Sequence, residues 1–416
     1  MRTLLFAAAM LSCLAVRPAS CQTPEPSASL SGFTLTCEDF EDPRAVGNLE
    51  TLCRVWGYAK YHHPVFCDTL CRVDVDSALF VLLPRVVHAD RETRNRHLLD
   101  WVRSLGDYTP NRVECEQSLA PLELVSTVDL AWTRDTTLLG RDLSRLLQDL
   151  RYAERGENYY LRMGTTGNGP GYHYLSLRGE SFHPTPQMDS GLNLLTLFRL
   201  WNIIEYYAPY RAVTLHPWEE VLSTYIPLMG VETDGRRFAR LYMRLIRELN
   251  DGHAYAPIEM LFGQRMLPVW PLQAEGRLFV GYSGDSALER GDEVVAIDGE
   301  PLSERLELLR EYASRSNEAS LRKALRYYGL CTRRDTAEVV LRRAGACDTL
   351  HVATVPYGSV SPPFTTRPNS RSRPSTCWPI RWVTSTPGPS HASTSPRSGR
   401  RCPAHGRSSS TCAPTR

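Results

Sequence analysis

The stretch "LNDGHAYAP" (249–257) sets a carboxylate and an imidazole two residues apart, Asp251 and His253. Histidine titrates nearer neutral pH than any other side chain, so an imidazole can take a proton from a nucleophile and return it to a leaving group. The plainer reading is a histidine at a helix end, hydrogen-bonded to backbone. Asp251 can orient the ring or cap the loop, and the cap is the simpler use. A second cluster, "HHPVFCDTLC" (62–71), places His62 and His63 close to Cys67 and Cys71. Structural zinc sites show paired short spacings. This one reads better as a disulfide or as unrelated thiols, so neither a metal nor a cofactor is expected. In "ALERGDEVVAIDGEPL" (287–302), Gly291 and Asp292 form a tight turn into an apolar strand. Asp298-Gly299 is a hairpin signal.

These residues need elements to hold them. The pair "NLETLCRVWGYAKYHHP" (48–64) and "NLLTLFRLWNIIEYYAP" (193–209) aligns without a gap. Apolar residues recur at helical spacing in both, and a proline ends each. Further helices follow each copy, at "DSALFVLLPRVV" and "RNRHLLDWVRSL", then at "WEEVLSTYIPLM" and "GRRFARLYMRLIREL". The expectation is a duplicated helical module, copy 1 over 48–110 and copy 2 over 191–256. The connector, 111–190, is loop-rich with one helix, "TLLGRDLSRLLQDLRYA". From 257 to 356 short β-type runs surround two helices, which predicts a small β domain. The fold class is therefore α+β and multidomain.

Composition narrows the function. Of 48 basic residues only Lys60 and Lys323 are lysines, and the formal net charge is +2. Nine arginines and no acid fall in the last sixty residues, which leaves 39 basic against 46 acidic residues before them, a net of −7. Nucleic-acid binding needs clustered basic side chains on one face, so no nucleic-acid partner is expected. "MRTLLFAAAMLSCLAVRPASC" (1–21) reads as a signal peptide, followed by a linker over 22–47. A lipid anchor on Cys21 is the alternative, and Pro18 argues against it. No later run is long and apolar enough to span a bilayer. An exported protein of the periplasm or cell envelope is expected. Seven cysteines between the signal and Pro356 suit an oxidising compartment. Cys331 and Cys347 flank one strand and are candidates to pair.

Taken in order, "NLETLCRVWGYAKYHHP", "GLNLLTLFRLWNIIEYYAPYR", "LIRELNDGHAYAP" and "LERGDEVVAIDGEPL" resemble the front half of exported bacterial serine peptidases. The family is that of tail-specific, C-terminal-processing peptidases, in its tricorn-like branch, and the resemblance covers 48–355. It implies that 257–356 is PDZ-like, with substrate binding around Gly291 and Asp292. The implied partners are peptide or unfolded-protein C-termini added to a sheet edge. It also implies a serine nucleophile, an oxyanion site of backbone N–H groups, and a histidine base that matches His253. The lysine-base variant finds no support, since Lys60 and Lys323 fall in predicted helices ahead of any catalytic domain.

The family's catalytic domain should follow from about Val360. Residues 357–416 instead carry Ser, Thr, Pro and Arg without acids or apolar period, and such a sequence cannot bury a core. Back-translated and read from the third base of each codon, "CWPIRWVTSTPG" can yield strand-like segments resembling the opening of that domain. The tail is thus expected to be disordered and frameshifted, and this chain to lack the nucleophile and peptidase activity. A peptide-binding module without catalysis is the competing reading.

Overall fold

The computed structural model describes residues 30–67, 73–112, 128–165, 173–180, 186–208, 210–254 and 256–360. The expected signal peptide with Cys21, the thiols of Cys71 and Cys115, and the tail beyond residue 360 lie outside the described residues. The chain is α+β, with a helical region followed by antiparallel sheets. The helical region holds α1 (Pro43–His62), α2 (Val75–Val86), α3 (Arg91–Ser104), α4 (Thr136–Leu150), α5 (Ser190–Tyr207), α6 (Trp218–Gly230) and α7 (Gly235–Arg247). Aspartates start most of them. Asp42, Asp74, Asp90, Asp135, Asp189 and Asp234 each accept a backbone N–H from the first turn, satisfying donors that have no partner inside the helix.

α1 and α5 are the central helices and are buried on nearly every side. Leu49, Leu52, Val55, Trp56 and Tyr58 have no exposure at all, and Asn48, Thr51 and Lys60 are buried with them. The two helices meet where Gly57 faces Asn202. A Cβ at Gly57 would collide with that amide, so this crossing requires glycine. The Asn202 amide donates to the carbonyls of Cys53 (3.1 Å) and Phe198 (2.9 Å).

The residues that recur between the two aligned stretches make matching bonds. Trp56 Nε1 donates to the Val75 carbonyl (2.8 Å) at the start of α2, and Trp201 Nε1 to the Trp218 carbonyl (2.9 Å) at the start of α6. Asn48 Nδ2 donates to the carbonyls of Val87 (3.1 Å) and Ala89 (2.8 Å). Asn193 Nδ2 donates to those of Met229 (2.7 Å) and Glu232 (2.6 Å). The arginines cross over: Arg199 of α5 pairs with Asp76 of α2, and Arg54 of α1 with Glu219 of α6.

The connector contains more than the expected helix. β1 (Leu161–Thr165) and β2 (His173–Leu177) form an antiparallel hairpin, and the chain then delivers Glu180 into the helical core. There its carboxylate meets the ammonium of Lys60, and both side chains are buried. Arg199 Nε lies 3.3 Å from the other Glu180 oxygen. Trp56 and Tyr160 face the ammonium at 4.9 and 4.4 Å. Burial pushes the Lys60 amine down, opposed by the charges of Glu180 and Asp76.

After α8 (Glu259–Phe262) comes the β region. Its larger sheet runs β10 (Ala346–Ala353), β9 (Thr336–Arg343), β6 (Glu293–Ile297), β5 (Arg277–Ser283), β4 (Val269–Ala274), with β7 (Glu300–Pro301) on β6. A smaller sheet joins β11 (Val355–Pro356), β3 (Arg265–Met266) and β8 (Cys331–Thr332). Two helices complete it, α9 (Leu302–Tyr312) and α10 (Glu318–Tyr328). Asp298 and Gly299 both have positive φ (55° and 82°), the backbone that a two-residue hairpin turn demands. Cys331 and Cys347, the candidates to pair, do not form a disulfide. Cys331 is buried in β8, Cys347 is exposed on β10, and both are thiols. Flanking one strand did not bring their sulfurs together. Among the described residues no helix is long and apolar enough to cross a membrane.

Glu180→Ala leaves a buried ammonium unpaired and is expected to cost about 3–5 kcal/mol. The double variant Lys60→Met with Glu180→Leu should recover most of that loss. Urea unfolding followed by tryptophan fluorescence measures both, and a Glu180→Ala cost below about 0.5 kcal/mol, the range of an ordinary surface change, would reject the clamp. A pH effect follows from His62. Its ring stacks on Tyr58 (centroids 4.1 Å), and its Nδ1–H donates to the Tyr58 carbonyl (2.9 Å). Burial, then the charge of Arg155, pushes it down from 6.5 to about 3. Between those values the unfolded chain binds more protons, so stability falls as pH drops through this window. Urea midpoints taken from pH 7 to 4.5 should fall less steeply in His62→Phe than in the parent.

Candidate active site

Helix α7 ends where Leu249 is buried and Asn250 takes a left-handed φ of 50°, a conformation asparagine tolerates at a helix C-terminus. Asn250 Nδ2 donates to the Val213 carbonyl (2.9 Å), and Glu248 accepts the Leu215 N–H on its carbonyl (2.9 Å). Glu248 also meets His216 Nδ1 through Oε2 (2.7 Å). The segment 213–216 thus fixes one side of the α7 terminus. The Asp251–Gly252–His253 turn projects from this anchored point.

Asp251 Oδ1 accepts the backbone N–H of His253 (2.9 Å) and lies 3.1 Å from its ring Nδ1. A carboxylate only accepts, so the neutral ring carries its proton on Nδ1 and leaves a lone pair on Nε2. The two uses of Asp251 that the sequence left open coexist in one oxygen. The His253 side chain is 48% exposed. Among the described residues no hydroxyl or thiol is hydrogen-bonded to Nε2. Among the described residues the site therefore presents an oriented proton acceptor with no hydroxyl or thiol bonded to it.

The other side of the turn is held by the β region. Ser314 Oγ donates to the Asp251 carbonyl (2.8 Å), and Ser316 Oγ accepts the Gly252 N–H (2.7 Å). Ser316 Oγ also lies 3.4 Å from Asp251 Oδ1. Nearby, Arg244 of α7 pairs with Glu311 of α9 and its guanidinium stands 5.6 Å from the Tyr312 ring. None of these serines was singled out from sequence. "SRSNEAS" carries only the local signal of a helix start, which Asn317 and Ser320 fulfil with a capping box.

The other candidate residues have internal partners. Gly291 turns with φ of 98°, and its N–H donates to the Val280 carbonyl (2.8 Å). Asp292 is buried. Its oxygens accept Arg343 Nε (2.8 Å), Arg343 Nη2 (2.6 Å) and the Glu289 N–H (2.8 Å). The Arg343 hydrogen bonds hold its carboxyl below the usual aspartate value. Gly291 and Asp292 build the corner into β6 and do not adjoin His253 in the chain of bonds described above. Lys60 is committed to Glu180, and Lys323 lies on α10. His62, His63 and Cys67 do not gather as ligands, and among the described residues no three His, Cys, Asp or Glu side chains form a metal-binding group.

No protein-family model matches the chain, and no curated protein matches it. Similar solved structures include mature CPAF complexed with lactacystin (TM-score 0.31, 19% identity), where the match covers 39% of this chain and 35% of that one. A point mutant of CPAF gives a TM-score of 0.31 at 20% identity, covering 40% and 34%. The chain thus spans about a third of the length of these structures. The similarity is weak and partial.

Asp292→Ala tests the structural role of the corner. The lost bonds to Arg343 and Glu289 should lower stability by about 1–3 kcal/mol, read from urea midpoints. A cost below about 0.5 kcal/mol, the range of an ordinary surface change, would reject that role.

Proposed function

We propose that this chain is the substrate-recognition and base-bearing part of an exported serine-type peptidase of the tail-specific family, tricorn-like branch. The observation that carries the reading is the His253–Asp251 pair, whose Nδ1 contact (3.1 Å) leaves Nε2 to act as a base. In the proposed reaction His253 takes the proton of a serine hydroxyl as it attacks a peptide carbonyl. Asp251 then steadies the imidazolium. The four sequence stretches that resemble the family support this assignment. The matched bonds of Asn48 with Asn193 and of Trp56 with Trp201 support a duplicated helical module.

In this reading the β region is the PDZ-like domain and receives peptide or unfolded-protein C-termini. Among the described residues its sheet has an end strand, β4, paired only with β5, and α10 packs beside it through Trp270 and Tyr327 (centroids 5.4 Å). Pro271 sits at the register shift of this strand, a place where a missing N–H is tolerated. No residue of this chain is assigned as nucleophile, so it binds peptides and does not cleave them. The same edge strand favours the second reading, a peptide-binding module whose normal role is not catalytic.

Two measurements on the purified chain separate these outcomes. Peptides with a free C-terminal carboxylate should bind at least about tenfold more tightly than their amides, as expected where backbone N–H groups capture the terminus. Equal affinities would reject the PDZ-like assignment. Unfolded protein incubated with the chain should remain intact, and turnover abolished by a serine-directed inhibitor would show that a nucleophile had been missed.

A further inference from the structure

We infer that Ser316, assisted by Ser314, is a positioning residue for the His253 imidazole, supplied by the β region across more than sixty residues of sequence. The inference rests on the reading of His253 as a base, but its geometry is independent of any reaction. The turn that carries His253 has three backbone polar groups that fix its path. The Asp251 carbonyl accepts from Ser314 Oγ (2.8 Å) and from the Ala254 N–H (3.0 Å), and the Gly252 N–H donates to Ser316 Oγ (2.7 Å). With its one proton Ser316 is placed to donate onward to Asp251 Oδ1 (3.4 Å). That oxygen is the one that meets Nδ1 of His253.

The serine therefore acts on the ring through the carboxylate. A hydrogen bond to Asp251 limits the rotation of its side chain, and the Asp251 orientation decides which ring nitrogen keeps the proton. An exposed imidazole with no such partner is free to hold its proton on either nitrogen. Ser316 is itself held, because its backbone N–H donates to Ser320 Oγ (3.0 Å), within the cap that starts α10. Gly252 packs so close to this cap that a Cβ there would lie 2.9 Å from Ser320 Cβ and 3.3 Å from Ser316 Oγ. Glycine at 252 thus lets the turn sit against the serines. Ser314 adds a second point of attachment, also reaching the Ile246 carbonyl (3.5 Å).

The test is nuclear magnetic resonance of the whole chain labelled in histidine, with His253 assigned by the His253→Asn variant. In the parent, the neutral imidazole should hold its proton mainly on Nδ1. Ser316→Ala should shift the ratio of the two tautomers toward Nε2–H by about fivefold, the weight of one modest hydrogen bond. Ser316→Thr keeps the hydroxyl and should restore the parent ratio. Ser314→Ala should produce a smaller shift in the same direction. An unchanged ratio in a folded Ser316→Ala chain would overturn the inference, as would failure of Ser316→Thr to restore it. If Ser316→Ala does not fold, Gly252→Ala must shift the ratio in its place, and an unchanged ratio there overturns the inference equally. Loss of carboxylate-selective peptide binding in the parent would instead overturn the functional reading, with this result standing.

Discussion

An ammonium group with no exposure to water is the constraint around which the helical region is arranged. Taking such an ion out of water costs several kcal/mol, which only a well-placed counter-charge can offset. Lys60 gets that counter-charge from Glu180, which lies 120 residues along the chain. The connector is consequently pinned to α1 through this bond, and its β1–β2 hairpin is held against the helices. Glu180 also approaches Arg199, which pairs with Asp76, so α1, α2, α5 and the connector share one alternating set of charges. The rings of Trp56 and Tyr160 close the remaining faces of the ammonium. The position of α5 that aligns with Lys60 carries the opposite charge, Glu205. It finds its own partner in Arg211, 2.6 Å away. Two helices of similar sequence therefore answer the same problem with reversed signs.

The parts of this fold that could be read from sequence are those whose cause is local. Apolar spacing announced the helices to within a few residues, and Asp298-Gly299 announced its turn; the aspartates that cap the helices are an equally local signal, recognised only in the structure. What could not be read rests on partners distant in the chain. The strands β1 and β2 flank "GTTGNGPG" (164–171), whose Gly and Pro residues mark a turn but do not say that strands flank it; Glu180 looks like any surface acid, and Ser314 and Ser316 sit in a stretch whose composition says only that a helix begins. The cysteines illustrate the same limit. Cys331 and Cys347 bracket a strand, yet one lies in the small sheet under α9 and the other on an exposed edge strand opposite Arg342. Adjacency to one element does not fix where a side chain points.

The histidine site combines both kinds of information. His253 and Asp251 lie two residues apart, so their chemistry was legible as residue types, and the close spacing makes their contact a local matter. The direction in which the pair faces was not legible, because it depends on a turn held from two sides. Residues 213–216 grip the end of α7, and the loop between α9 and α10 grips the turn beyond it. An imidazole that is half exposed would otherwise sample many rotamers and both tautomers. In the proposed function, proton transfer requires one nitrogen in one place, so the cost of ordering the ring would be met before a substrate arrives.

That requirement links the two regions more closely than their sequences suggest. The helical region contributes the backbone of His253 and Asp251, while the β region contributes the hydroxyls that hold the turn, alongside the Arg244–Glu311 pair that fixes α7 against α9. A helical region separated from the β region would keep the dyad as a short-range contact but lose the restraint on its orientation. A β region alone would have no imidazole at this place. The site is thus a property of the junction, and a change in the α9–α10 loop acts on His253 without touching the ring.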